Sequence, residues 1–119
     1  MKSEKGDLKF RTKKFALRII RLYAALPKTT EAQILGKQVL RSATSVGAHY
    51  REATRARSNA EFISKMEVGL QELDETGYWI ELLGDSEIVP KKRLADLSVE
   101  IEELTAILVT CVKNAKKKK

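Results

Sequence analysis

The chain has 119 residues, 33% charged and 43% hydrophobic, with 6 Gly, 2 Pro and a formal net charge of +7. That length suits one domain, and so little Gly and Pro excludes a collagen-like chain and argues against a sandwich or a disordered segment. No apolar run reaches the ~18 residues of a membrane span, and "MKSEKGDLKFRTKK" lacks a signal peptide's apolar core and cleavage site, so the cytoplasm is the default compartment.

The charge is uneven. Residues 1–57 carry 14 Lys and Arg against 4 Asp and Glu, residues 58–112 carry 4 against 12, and residues 113–119 add 5 lysines. One reading is intramolecular: basic helices packed beside acidic ones, largely solvated and worth little per pair. The other is a binding surface or a head-to-tail subunit contact.

In chain order, the first predicted helix covers about 7–26. Phe15, Ile19, Leu22, Tyr23 and Leu26 share one face at spacings of three and four, while Arg11, Lys14, Arg18 and Arg21 share another. Pro27 stops it. The second, about 30–55, starts after Thr29 or Thr30, whose hydroxyls suit an N-cap. Leu35, Val39, Ser42, Val46, Tyr50 and Ala53 make its inward stripe, with Lys37, Arg41, Arg51 and Arg55 nearly opposite. Gly47 costs about 1 kcal/mol in a helix relative to Ala, so close packing by a neighbouring helix is the expected compensation.

The third predicted helix, about 59–83, opens on a capping box of Ser58 and Glu61. The short turn before it makes helices two and three antiparallel neighbours. Phe62, Met66, Gly69, Leu70, Leu73, Gly77 and Ile80 form its main face; Val68, Trp79 and Leu82 form a second strip. One intrachain core does not easily cover both, so the second strip either caps the bundle at Trp79 or forms a subunit interface. Gly84 is the expected C-cap, and Pro90 suits the first turn of the fourth helix, about 90–114. There Leu94, Leu97, Ile101, Leu104, Leu108, Cys111 and Ala115 repeat as a heptad seam, with Val99, Ala106, Ile107 and Val109 off it. Val68, Trp79, Leu82, Val99, Ile107 and Val109 are the candidate oligomer interface. The architecture is an all-α, antiparallel up-down four-helix bundle over 1–114, followed by a disordered lysine tail over 115–119.

Catalytic constellations do not assemble. His49 is the only histidine and sits at the edge of an inward stripe, where a packed imidazole is the ordinary reading; Cys111 is the only cysteine and reads as a buried thiol. Glu72, Asp74 and Glu75 point in different directions around a helix. No phosphate loop, paired-cysteine motif or His-Glu metal signature occurs, so no enzyme activity, metal or cofactor is expected.

"RSATSVGAHYREATRARSNAEF", followed by "KMEVGLQELDETGYWIELL", resembles the four-helix-bundle proteins encoded in intervening sequences of bacterial 23S ribosomal RNA genes. Arg41, Ser42, Val46, Ala48, Glu52, Ala53, Arg57, Ser58, Glu61 and Phe62 carry the resemblance, and His49 stands where the family usually has Asn. The resemblance implies a homopentameric ring and an RNA-related role. More remotely, the chain is similar to the accessory variability protein of diversity-generating retroelements, which implies a reverse transcriptase as a possible partner.

The expected function is therefore a non-enzymatic, ring-forming nucleic-acid-binding protein, with RNA favoured by the resemblance. Arg11, Lys14, Arg18, Arg21, Lys37, Arg41, Arg51 and Arg55 would hold phosphates. Arg57 either joins them or binds a carboxylate such as Glu52 or Glu61. The alternatives are a scaffold that docks a reverse transcriptase and a structural bundle whose charges only keep it soluble.

Overall fold

The computed structural model describes residues 4–118, with side chains from Leu8 onward, and has four helices: α1 (Glu4–Ala24), α2 (Thr30–Thr54), α3 (Asn59–Asp85) and α4 (Lys91–Lys117). Local chemistry sets most of their ends. Thr29 Oγ1 accepts from Ala32 N at 3.3 Å, and Ser58 Oγ accepts from Glu61 N at 3.0 Å. Glu61 Oε1 in turn accepts from Arg57 N at 3.3 Å, so the expected capping box forms one residue wider than its standard version.

Descending pairs show the antiparallel order. Thr12 faces Gly47 and Leu26 faces Gly36 across α1 and α2. Thr76 Oγ1 meets Ser42 Oγ at 2.8 Å, and Lys65 meets Glu52 at 3.0 Å, across α2 and α3. Gly77 faces Ile101 and Lys116 meets Glu67 at 3.1 Å across α3 and α4. The bundle is flattened, 49 × 27 × 19 Å along its axes, and α1 touches α4 far less than sequential helices touch each other.

Leu8, Phe15, Ile19, Val39, Val46, Met66, Leu73, Leu83, Leu104 and Leu108 form the centre of the core. The buried hydroxyls within it, those of Thr12, Ser42 and Thr76, are bonded, whereas Trp79 Nε1, packed against the core, is buried with no hydrogen-bond partner among the described residues. Thr12 Oγ1 donates to Leu8 O at 2.8 Å, and Thr76 Oγ1 lies 2.8 Å from both Ser42 Oγ and Glu72 O. This satisfies the requirement that hydroxyls removed from water keep partners.

Several expectations shift. α1 ends at Ala24, and a tight turn, Leu26 N to Tyr23 O at 3.1 Å, leads to Pro27. Gly84 is not a cap: α3 continues to Asp85, Ser86 caps it, and the positive φ falls on Glu87 (64°). Gly84 instead clears space for α4, since a methyl there would lie 3.2 Å from Lys91 Cγ and 3.3 Å from Leu94 Cδ1. The α4 seam passes through Val112 rather than Cys111, which is half-buried; a straight helix drifts about 20° per heptad from a 3.5-residue repeat. The lysine run is no disordered tail through Lys117. Ala115 is buried, Asn59 Nδ2 donates to Ala115 O at 2.7 Å, and the helix continues to Lys117. Lys119 and residues 1–3 lie outside the described residues.

The glycines divide by what surrounds them. A methyl at Gly36 would lie 2.6 Å from Leu26 Cδ1 and 2.9 Å from Tyr23 Cδ1, whereas one at Gly77 finds only Ile101 Cγ2 at 3.8 Å. Gly36→Ala should therefore lose about 1–2 kcal/mol to overpacking despite its helix propensity. Gly77→Ala should gain about 0.5–1 kcal/mol. Urea denaturation of both variants checks this; equal shifts of the same sign would refute the packing assignment.

Candidate nucleic-acid interface

The nine basic residues predicted to hold phosphates divide into two groups. Arg11, half-buried on α1, donates from Nη2 to Glu100 Oε1 at 2.7 Å, from Nε to Glu100 Oε2 at 3.2 Å, and from Nη2 to Glu103 Oε1 at 3.0 Å. Glu100, and then Glu103, hold its pKa above the ordinary arginine value, opposing the effect of partial burial. Arg41 on α2 bonds Glu72 Oε1 at 3.2 Å and also Glu75 on α3. Each guanidinium thus bridges two carboxylates of the acidic half, as its forked geometry allows. The intramolecular reading of the charge asymmetry holds for these two, which are not available as phosphate ligands while so engaged.

The other seven form no ion pair among the described residues. Lys14, Arg21, Lys37, Arg55 and Arg57 are exposed, and Arg18 and Arg51 are half-buried. Arg57 contributes its backbone N–H to Glu61, while the guanidinium pairs with neither Glu52 nor Glu61. Glu52 is taken by Lys65 at 3.0 Å, with His49 Nδ1 at 3.5 Å. From Leu8 to Thr30 the chain has seven basic residues and no acidic one, so this part of α1 and the turn after it contribute positive charge only.

The outward face of α1 is not only basic. Phe10, Leu17 and Ile20 are 56%, 40% and 44% exposed, on a stripe facing away from Phe15 and Ile19. Their spacing of seven and three was legible in the sequence but was masked by the surrounding Lys and Arg. The predicted interface behaves differently. Trp79 and Ile107 pack against the core, Val68, Leu82 and Val109 are half-buried, and only Val99 of the six is widely exposed, at 52%. α3 sits between α2 and α4 and buries two faces, so one chain covers more of its apolar surface than a single stripe would.

A family model described as 23S rRNA-intervening sequence protein matches residues 6–110. The chain belongs to this family. A crystal structure at 1.70 Å, of a protein with unknown function from the S23 ribosomal protein family of Bacteroides thetaiotaomicron VPI-5482, superposes with a TM-score of 0.88 at 35% identity. The match covers 93% of this chain and 99% of that one. Among curated proteins, none matches significantly. No helix among the described residues is long and apolar enough to cross a membrane.

Two measurements test the electrostatics. Lys65, and secondarily His49, hold the Glu52 carboxyl below the usual range, so this pairing favours the fold above the ordinary carboxylate pKa and its contribution fades as pH falls through the depressed one. In Lys65→Met, the Glu52 carboxyl should titrate closer to the ordinary value in carbon-detected NMR; an unmoved titration would contradict the pairing. Arg11→Gln should cost about 1 kcal/mol of stability, near the upper end for partly exposed pairs. Denaturation at low and high salt reads this, and indifference to the substitution would show the bridge to be inconsequential.

Proposed function

We propose that this chain is a non-enzymatic, ring-forming protein that binds nucleic acid, with RNA as its ligand, through phosphate contacts. The observation that carries the reading is the α1 surface: seven cations, no acid between Leu8 and Thr30, and, among the described residues, only Arg11 neutralised by ion pairing. Lys14, Arg18 and Arg21 on α1, with Lys37 and Arg51 on α2, supply point charges and forks suited to phosphate oxygens. Family membership supports RNA over other polyanions through the ribosomal RNA setting its description names. Contacts of this kind position a backbone and read little sequence, and α1 presents Phe10 rather than a row of aromatics for stacking bases.

Ring formation rests on the apolar stripe of Phe10, Leu17 and Ile20, together with Val99 on α4, which lies beside Asp96 and Glu102, acids with no ion pair among the described residues. A basic apolar face on one copy and an acidic apolar face on the next make a heterologous contact, the type that closes rings. Several copies in one ring multiply the cationic surface offered to one RNA. A second reading takes the same stripe as the seat of a partner protein, such as a reverse transcriptase, with the ring as a docking scaffold.

Binding of a labelled RNA hairpin and a matched duplex DNA across about 50–200 mM salt, with particle mass from light scattering, tests both parts. The wild type should form a particle several times 13.4 kDa and bind RNA with a steep salt dependence. The triple substitution Lys14→Gln/Arg21→Gln/Lys37→Gln should reduce the slope of log K against log salt by about two, and Leu17→Glu should lower the particle mass. A ring without nucleic-acid affinity would favour the docking scaffold; a monomer with no affinity would leave a structural bundle.

A further inference from the structure

The end of the bundle where α2, α3 and α4 meet carries a second basic cluster, and there the fold arranges what the sequence leaves as a charge run. The turn between α2 and α3 contains Arg55 and Arg57, and α4 ends in Lys116 and Lys117, with Lys118 as its C-cap. The two are fastened together. Asn59 Nδ2 donates to Ala115 O at 2.7 Å and to Lys118 O at 3.3 Å, Ala115 is 5% exposed, and Lys116 is tied to Glu67. Thr54, Ser58, Asn59, Asn114 and Lys118 line one cavity of about 450 Å³ between turn and tail.

We infer that this cavity and its flanks, Arg55, Arg57, Lys117 and Lys118, are a binding site for the phosphodiester backbone of RNA, separate from the α1 surface and built by docking the lysine run onto the α2–α3 turn. The inference rests on the nucleic-acid reading above. None of these four cations forms an ion pair among the described residues, and the nearby acids have other partners: Glu52 with Lys65, Glu61 with Arg57 N, and Glu67 with Lys116.

Two helix C-termini, those of α2 and α4, lie here and attract cations. Each amounts to only roughly half a unit charge, so four cations exceed what the dipoles call for. Of the polar lining, Ser58 Oγ and the Asn114 amide are left to donate to phosphate and sugar oxygens, since Thr54 Oγ1 donates to Arg51 O and Asn59 Nδ2 to Ala115 O and Lys118 O. The rest of the lining is apolar but mostly small, Ala53, Ala56, Cys111 and Ala115 beside the half-buried Phe62, and none of the widely exposed large hydrophobics is among it, whereas a membrane surface or a partner helix would need large exposed anchors.

The test uses the full chain and a 5′-labelled RNA hairpin, read by fluorescence anisotropy over about 50–200 mM salt, with Arg55→Gln/Arg57→Gln/Lys117→Gln/Lys118→Gln beside the α1/α2 triple variant. The quadruple variant should bind at least about tenfold more weakly near 100 mM salt and lose about three from the log–log slope, with an unchanged circular dichroism spectrum. Lys117→Gln/Lys118→Gln, at the helix end where folding is least at stake, should lose about half as much slope. Asn59→Ala, which keeps every charge but releases the tail, should weaken binding about threefold. Wild-type affinity and slope in the quadruple variant, with losses in the α1/α2 triple, would overturn this site and leave the proposed function standing. A wild type that binds no RNA at low salt would overturn both.

Discussion

The close approach of α2 to both neighbours is the constraint on which the rest of the molecule depends. Gly36 and Gly47 admit Tyr23, Leu26 and Thr12 of α1, while Ser42 reaches Thr76 of α3 and Gly69 clears Val46 and His49. A larger residue at Gly36 would move α1 outward. The price in helix propensity is about 1 kcal/mol per glycine, offset by dispersion contacts that only short interaxial distances allow. These contacts also fix rotation about each helix axis, and so decide which side chains meet an acid and which meet water.

Electrostatics follows from that rotation. Arg11 and Arg41 lie at the edges where α1 meets α4 and α2 meets α3, and each takes two carboxylates. Four acids are thereby held by two cations, so the acidic half is masked faster than the basic half. Lys14, Arg18 and Arg21, on a helix whose described side chains include no acid, keep their charge directed outward. A chain of only moderate net charge can in this way present strongly cationic surfaces, because the field at a surface depends on placement more than on the total.

Apolar surface is distributed by the same logic. α3 lies between two helices and buries both of its strips in large part, which accounts for Trp79 inside the fold. α1 lies at the edge of a flattened bundle and leaves Phe10, Leu17 and Ile20 exposed. Exposed apolar residues gathered on one helix, amid charges opposite in sign to those around Val99, mark the surface where association would remove most apolar area from water.

The sequence by itself determined the helical class, the four elements to within about three residues, the caps at Thr29 and Ser58, and most of the core, because 3.6-residue periodicity and capping act within a few residues. It also determined the family, through the run from Arg41 to Phe62. Tertiary structure decided the rest. Arg11 and Arg18 look alike on a helical wheel, yet only Arg11 meets Glu100, which is 89 positions away in the chain. The lysines at the end read as a tail in the sequence, yet Asn59, 56 positions from Ala115, fastens the helix that carries them. Such outcomes depend on which helix lies beside which, and at what rotation, and that information arises only when the whole core is packed.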